Sequence, residues 1–177
     1  MADRRLTGVL LVGGASTRFG SPKALAGLGG RTLAEICWGT LAFCDERIAV
    51  GKAADGLDLP FFVLDDGTEV RAPIAGVVAG LRTASHDLCV VLPVDTPRVS
   101  SATLRKLAAC CGGDAAVPQT GPLPGAYRKT VLPALEAALT AGELSLRDAI
   151  SGLDVARVGV DPPQLVNINT RDDLARL

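Results

Sequence analysis

The sequence predicts an α/β fold in which helices cover both faces of a mostly parallel sheet. Three observations carry this. Strand-like segments alternate with helix-like segments along all 177 residues. Several strand candidates are apolar throughout, as strands buried on both faces are. Aromatic residues make up only 3%, so Val, Leu, Ile and Ala must fill the core. The length fits a single domain, 1–177, that buries a real core.

Each element has its own signal. Leu6 to Val12 is a short apolar run ending at Gly13 and Gly14, a buried strand opening into a tight loop. Thr32 to Phe43 reads as a helix, with Thr32 at the N-cap and Glu35 at the reciprocal capping-box position. Arg47 to Val50 and Phe61 to Leu64 read as strands. Ile74 to Thr83 is a helix with Pro73 in its first turn. Leu88 to Leu92 is the clearest buried strand, closed by Pro93. Ser101 to Cys110 is a helix stopped by Gly112 and Gly113. Ala115 to Val117 and Gly125 to Tyr127 are short strands. Val131 to Thr140 and Ser145 to Ile150 are helices. Val155 to Val158 and Leu165 to Ile168 are strand-like, and Arg171 to Leu177 is a terminal helix.

Composition excludes several classes. Apolar residues make up 48% and charged residues 21%, ordinary for a soluble globular chain. The net charge of −1 gives no bulk attraction to nucleic acid or an anionic membrane. No run of about 18 apolar residues indicates a membrane span. The apolar stretch near the N-terminus is too short for a secretory signal, so a cytosolic location is expected. Cys37, Cys44, Cys89, Cys110 and Cys111 form no CxxC pair, and His86 is the single histidine. The thiols are therefore expected to be free or buried, with no Cys/His zinc site.

In parallel sheets ligands bind beyond the carboxyl ends of the strands. The loop after the first strand is LVGGASTRFGSPK, Leu11 to Lys23. Small residues let backbone N–H groups approach a phosphate. Arg18 can bind phosphate bidentately, and Lys23 can act as a point charge. The loop is neither GxxxxGK[ST] nor GxGxxG. Asp95, in PVDTP just past the best strand, is placed to hold Mg²⁺ against phosphates. Asp65 and Asp66 follow another strand, where either carboxylate can accept hydrogen bonds from a base or ribose. Beyond them, Pro73 and Gly76 offer a close approach to the backbone. Asn167 and Asn169 lie two apart, so an extended backbone presents both amides to one side and Ile168 to the core. Thr170 is then the cap of the last helix.

The pattern GGxSxRxGxPK behind an N-terminal apolar strand resembles the signature loop of the Rossmann-like nucleotidyltransferases. Over nearly its full length the chain resembles the MobA-type molybdenum cofactor guanylyltransferases. The matching pieces, in order, are LVGGASTRFGSPK, Asp65 followed by APIAG, PVDTP, PLPGAYRK and NINT. The resemblance implies a three-layer α/β/α fold and transfer of GMP from GTP to molybdopterin, with Mg²⁺ as cofactor. It implies that Leu11, Val12, Gly13, Gly14, Arg18 and Lys23 bind the nucleotide, with Arg18, Lys23 and Asp95 as the catalytic set. Asp65 would hold guanosine, Asp95 would ligate Mg²⁺, and Asn167 and Asn169 would contact molybdopterin. Molybdoenzymes or cofactor-insertion proteins would be its protein partners.

Some pieces depart from the family pattern. Val12 replaces an alanine, Phe19 a methionine, and Arg71-Ala72 a glycine-rich approach to APIAG. Gly121-Pro122-Leu123-Pro124 stands where His-Pro is common. Two alternatives stay open at this level. One is a transferase with another base or acceptor, such as a molybdopterin cytidylyltransferase or a sugar-phosphate nucleotidyltransferase. The other is a nucleotide-binding relative without catalysis, against which the joint presence of Arg18, Lys23 and Asp95 argues.

Overall fold

The computed structural model describes residues 5–13 and 22–176. β1 (Leu6–Leu11) is buried from Thr7 onward, as its unbroken apolar run requires. Lys23–Leu25 is a 3-10 turn, with Ala24 buried beneath it. β2 (Gly27–Leu28) and β3 (Arg31–Thr32) form a small antiparallel pair that the sequence did not signal.

α1 (Leu33–Thr40) starts at the expected capping box. The Thr32 hydroxyl accepts from Glu35 N at 3.1 Å, and the Glu35 carboxylate accepts from Thr32 N at 2.8 Å. The helix ends at Thr40 and not at Phe43. β4 (Glu46–Gly51) and β5 (Val63–Asp65) follow. β5 begins two residues later than the sequence suggested, because Phe61 leaves the strand to stack on Trp38 at 4.3 Å.

α2 (Pro73–Thr83) carries its proline in the first turn, and β6 (Leu88–Pro93) is buried through Leu92. α3 (Ser101–Cys110), β7 (Ala115–Pro118), β8 (Gly125–Arg128), α4 (Leu132–Thr140), α5 (Leu146–Ala149), β9 (Val155–Val158) and α6 (Arg171–Ala175) complete the chain. The strand expected over Leu165–Ile168 is not formed. Pro162–Leu165 is a 3-10 turn, and the chain beyond it is irregular. Two successive prolines lack the N–H groups a ladder needs, which favours a turn over a strand there.

The main sheet runs β5-β4-β1-β6-β8-β7-β9. β5, β4, β1 and β6 are parallel, β8 is antiparallel to both neighbours, and β7 pairs parallel with β9. The mostly parallel sheet is thus as expected. Alternate residues of β1 feed two cores. Leu10 and Val12 pack with Leu33 of α1 and Leu104 and Leu107 of α3. Val9 and Leu11 pack on the other face with Ile74 and Val77 of α2 and Leu135 of α4. Helices therefore cover both faces, giving three layers.

α2 lies very close to β1. A Cβ on Gly80 would fall 2.4 Å from Val9 Cγ1, and one on Gly76 would fall 3.0 Å from Leu11 Cδ2. The sequence reading gave Gly76 a role in ligand approach; in the fold its missing side chain also lets the helix seat on the strand. None of the five cysteines forms a disulfide among the described residues, and Cys37, Cys89 and Cys111 are buried. Burial pushes the Cys37 thiol up to about 12. No helix among the described residues is long and apolar enough to cross a membrane.

Candidate active site

The chain leaves β1 toward β4 and β5 on one side, then returns to β6 on the other. Such a reversal of strand order opens a crevice at the carboxyl ends. Here it is a cavity of about 270 Å³. Leu11, Val12 and Gly13 line it from β1, Gly51 and Lys52 from β4, and Val94 and Asp95 from behind β6. Ala72, Pro73 and Gly76 close it from the start of α2, and Leu123 reaches it from the Gly121–Pro124 segment. The predicted Leu11, Val12, Gly13, Lys23 and Asp95 thus share one cavity. Gly14 and Arg18, also expected here, lie outside the described residues.

Asp95 is set by a tight turn. Thr96 is buried, and its N–H and hydroxyl both donate to the Pro93 carbonyl, at 3.2 and 3.0 Å. Val94 N donates to Leu11 O at 3.0 Å, which joins the ends of β6 and β1. Lys23 Nζ lies 3.7 Å from Asp95 Oδ2 and donates to Asn169 Oδ1 at 3.2 Å. Ile168 N donates to the Asp95 carbonyl at 2.7 Å. The closing segment therefore reaches the site without being a strand. Ile168 is buried, and Asn167 and Asn169 on either side of it are exposed. The structure brings Asn169 to Lys23, whereas Asn167 has no such contact with the cavity residues among those described.

Burial raises the Asp95 carboxyl above the usual aspartate range, and the Lys23 ammonium pulls it back in part. Its Oδ1 is buried and has no hydrogen-bond donor among the described residues. A buried anionic oxygen left in this way fits a divalent cation. Among the described residues no group of three or more His, Cys, Asp or Glu could hold a metal. One carboxylate completed by phosphate oxygens and water is the pattern Mg²⁺ favours.

The two acids after β5 stand differently. Asp65 accepts from Ala53 N and Gly67 N, both at 2.6 Å, and these bonds hold its carboxyl below the usual range. Its carboxylate serves the loop and is not in the cavity wall. The next residue, Asp66, lines the cavity and pairs with Lys52 Nζ at 2.6 Å. Lys52 was missed altogether by sequence reasoning. It follows the carboxyl end of β4, so the rule that pointed to the loops after β1, β5 and β6 reaches it too. Arg71, one of the departures noted above, lines the cavity and pairs with Asp55 at 2.9 Å.

Residues 8–157 match the MobA-like NTP transferase domain family. The molybdenum cofactor guanylyltransferase of Cereibacter sphaeroides is 36% identical, over 97% of this chain and 95% of that protein. The chain belongs to the molybdenum cofactor guanylyltransferase family. A further family member, a probable molybdenum cofactor guanylyltransferase of Bacillus subtilis, is 32% identical over 96% of this chain and 92% of its own length. The crystal structure of molybdopterin-guanine dinucleotide biosynthesis protein A from Archaeoglobus fulgidus superposes with a TM-score of 0.83 at 28% identity. It covers 96% of this chain and 95% of the other. The family is thus one of nucleotidyl-transferring enzymes, and its fold is the three-layer arrangement described above.

Proposed function

We propose that this chain transfers GMP from GTP to the terminal phosphate of molybdopterin. The products are molybdopterin guanine dinucleotide and pyrophosphate. The observation that carries the reading is the Lys23–Asp95 pair, with its orphaned Asp95 Oδ1, in one cavity with Leu11, Val12 and Gly13. Family membership supplies the donor and acceptor.

A terminal phosphate oxygen of molybdopterin attacks the α-phosphorus of GTP in line. The new bond is oxygen to α-phosphorus, and the bond to the oxygen bridging the β-phosphorus breaks. Such transfer rests on positioning and charge neutralisation, without a protein nucleophile. Lys23 offers its ammonium to the triphosphate, with Arg18 as a second cation from the loop. Leu11, Val12, Gly13 and Gly14 present backbone to the nucleotide. Asp95 holds Mg²⁺, which when bound neutralises charge on the reacting phosphates. Asn169 fixes Lys23, and with Asn167 it faces the acceptor side.

The test is dinucleotide formation from GTP, Mg²⁺ and molybdopterin. GTP-dependent product is expected. Turnover with CTP but not GTP would overturn the guanylyl reading in favour of a cytidylyltransferase.

A further inference from the structure

The wall of the cavity opposite Lys23 and Asp95 is built around an ion pair. The side chains of Lys52 and Asp66 are only 9% and 6% exposed, yet both line the cavity. Lys52 Nζ donates to Asp66 Oδ1 at 2.6 Å and to the Thr68 carbonyl. An ammonium has three N–H donors. These two acceptors leave one donor for the cavity. Asp66 Oδ1 also accepts from Thr68 N at 3.1 Å, so both of its bonds fall on one oxygen. Its Oδ2 takes part in neither bond and stays an acceptor.

Position adds a second argument. Lys52 follows β4 and Asp66 follows β5, while Asp95 follows β6. In the order β5-β4-β1-β6 the two groups stand two and three strand spacings apart, about 10–14 Å. That is comparable with the reach of a nucleotide from its α-phosphate to the edge of its base. With the phosphates at Lys23 and Asp95, the base edge falls at Lys52 and Asp66.

We propose that Lys52 is a specificity residue that selects a 6-oxopurine. Its free N–H donates to O6, and Asp66 Oδ2 accepts from the adjoining N1–H. Guanine presents an acceptor next to a donor, matching the pair atom for atom. Adenine presents an amino donor next to a ring acceptor and mismatches both. A buried group built to hydrogen-bond its ligand rejects an analogue that leaves it unpaired. The assignment rests on GTP being the donor nucleotide.

The experiment compares GTP with 2,6-diaminopurine riboside triphosphate, which keeps the 2-amino group and replaces O6 by an amino group. Affinities are measured by calorimetry with Mg²⁺ and no acceptor. The native protein is expected to favour GTP by roughly 10–100-fold, the range of one or two charge-assisted hydrogen bonds. Lys52→Met should weaken GTP by about tenfold or more and leave the diaminopurine nucleotide within about twofold, so the ratio collapses. Lys52→Met strands a buried carboxylate, so the double variant Lys52→Met with Asp66→Leu, which removes both the donor and the acceptor, is measured as well; it too should lose the ratio. A preserved ratio in the variants would overturn the assignment, as would equal weakening of both nucleotides, which marks a phosphate or packing role. A native protein that prefers CTP to GTP would overturn the guanylyl reading itself, and this assignment with it.

Discussion

The carboxylate of Asp95 sits where burial raises its pKa, and Lys23 at 3.7 Å offsets that shift only in part. A group whose folded pKa is raised favours folding below its unfolded pKa, and that contribution is lost as pH rises through the folded value. Once ionised, Asp95 is therefore a burden on the ligand-free fold. Asp95→Asn should raise Tm at pH 7 without ligand. The gain should shrink as pH falls into the usual aspartate range. Melting curves at several pH values check this; a lower Tm at pH 7 would contradict it. The same variant should lose transfer by at least about a hundredfold, as sites that stabilise developing charge do when a key group is removed. Lys23→Ala should weaken GTP binding by about tenfold or more, from the loss of a charge-assisted contact. Calorimetry reads it, and unchanged affinity would remove Lys23 from the donor site. At this scale Lys23 and Asp95 were legible, because each follows a strand beside a recognisable motif. Which of Asp65 and Asp66 lines the cavity was not. Two adjacent acids look alike in sequence, and only the Asp65 bonds to Ala53 N and Gly67 N separate them.

Among the elements, helix starts were read closely because caps are local. Thr32, Pro73 and Thr170 each stand at the beginning of their helices. Strand limits were read less well where tertiary contacts decide them. Phe61 is drawn from β5 by Trp38, a partner no local pattern reveals. The Leu165–Ile168 segment looks extended and apolar, but its anchor is one hydrogen bond from Ile168 N to Asp95 O, not a ladder. The close seat of α2 on β1 was likewise invisible. Gly80→Ala should destabilise the protein by about 1–3 kcal/mol, the usual cost of overpacking. The alanine's better helix propensity, worth about 1 kcal/mol, opposes this only partly. Because Val9 is fully buried and cannot give way, Tm should fall by roughly 2–4 °C per kcal/mol. A stability equal to the native protein's would show that the helix can shift.

For the molecule as a whole, the alternation of apolar strands and capped helices made the layered architecture legible. The place of β8 was not, since a short antiparallel strand between β6 and β7 has no signature of its own. The cavity draws on residues from Leu11 to Leu123, so a ligand there ties distant parts together. GTP with Mg²⁺ should raise Tm by an amount that grows with ligand concentration, the stabilisation reaching about 2.7 kcal/mol at a hundred times Kd. Chelation should remove the metal-dependent part, and Asp95→Asn should lack it. An Asp95→Asn protein with the full metal-dependent rise would place the cation elsewhere.

The bond from Ile168 to Asp95 also bears on the order in which the molecule is assembled. β1 can pair with β6 once residues up to Pro93 have emerged, yet Lys23 finds Asn169 only 146 positions along the chain. Contacts so remote in sequence close late, after nearer ones have already reduced the entropy of the loop between them. During synthesis the sheet can therefore take shape before the cavity end of it does. A nascent chain that has not yet released the NINT segment would hold the scaffold of the site with Lys23 beside Asp95 but without its bond to Asn169.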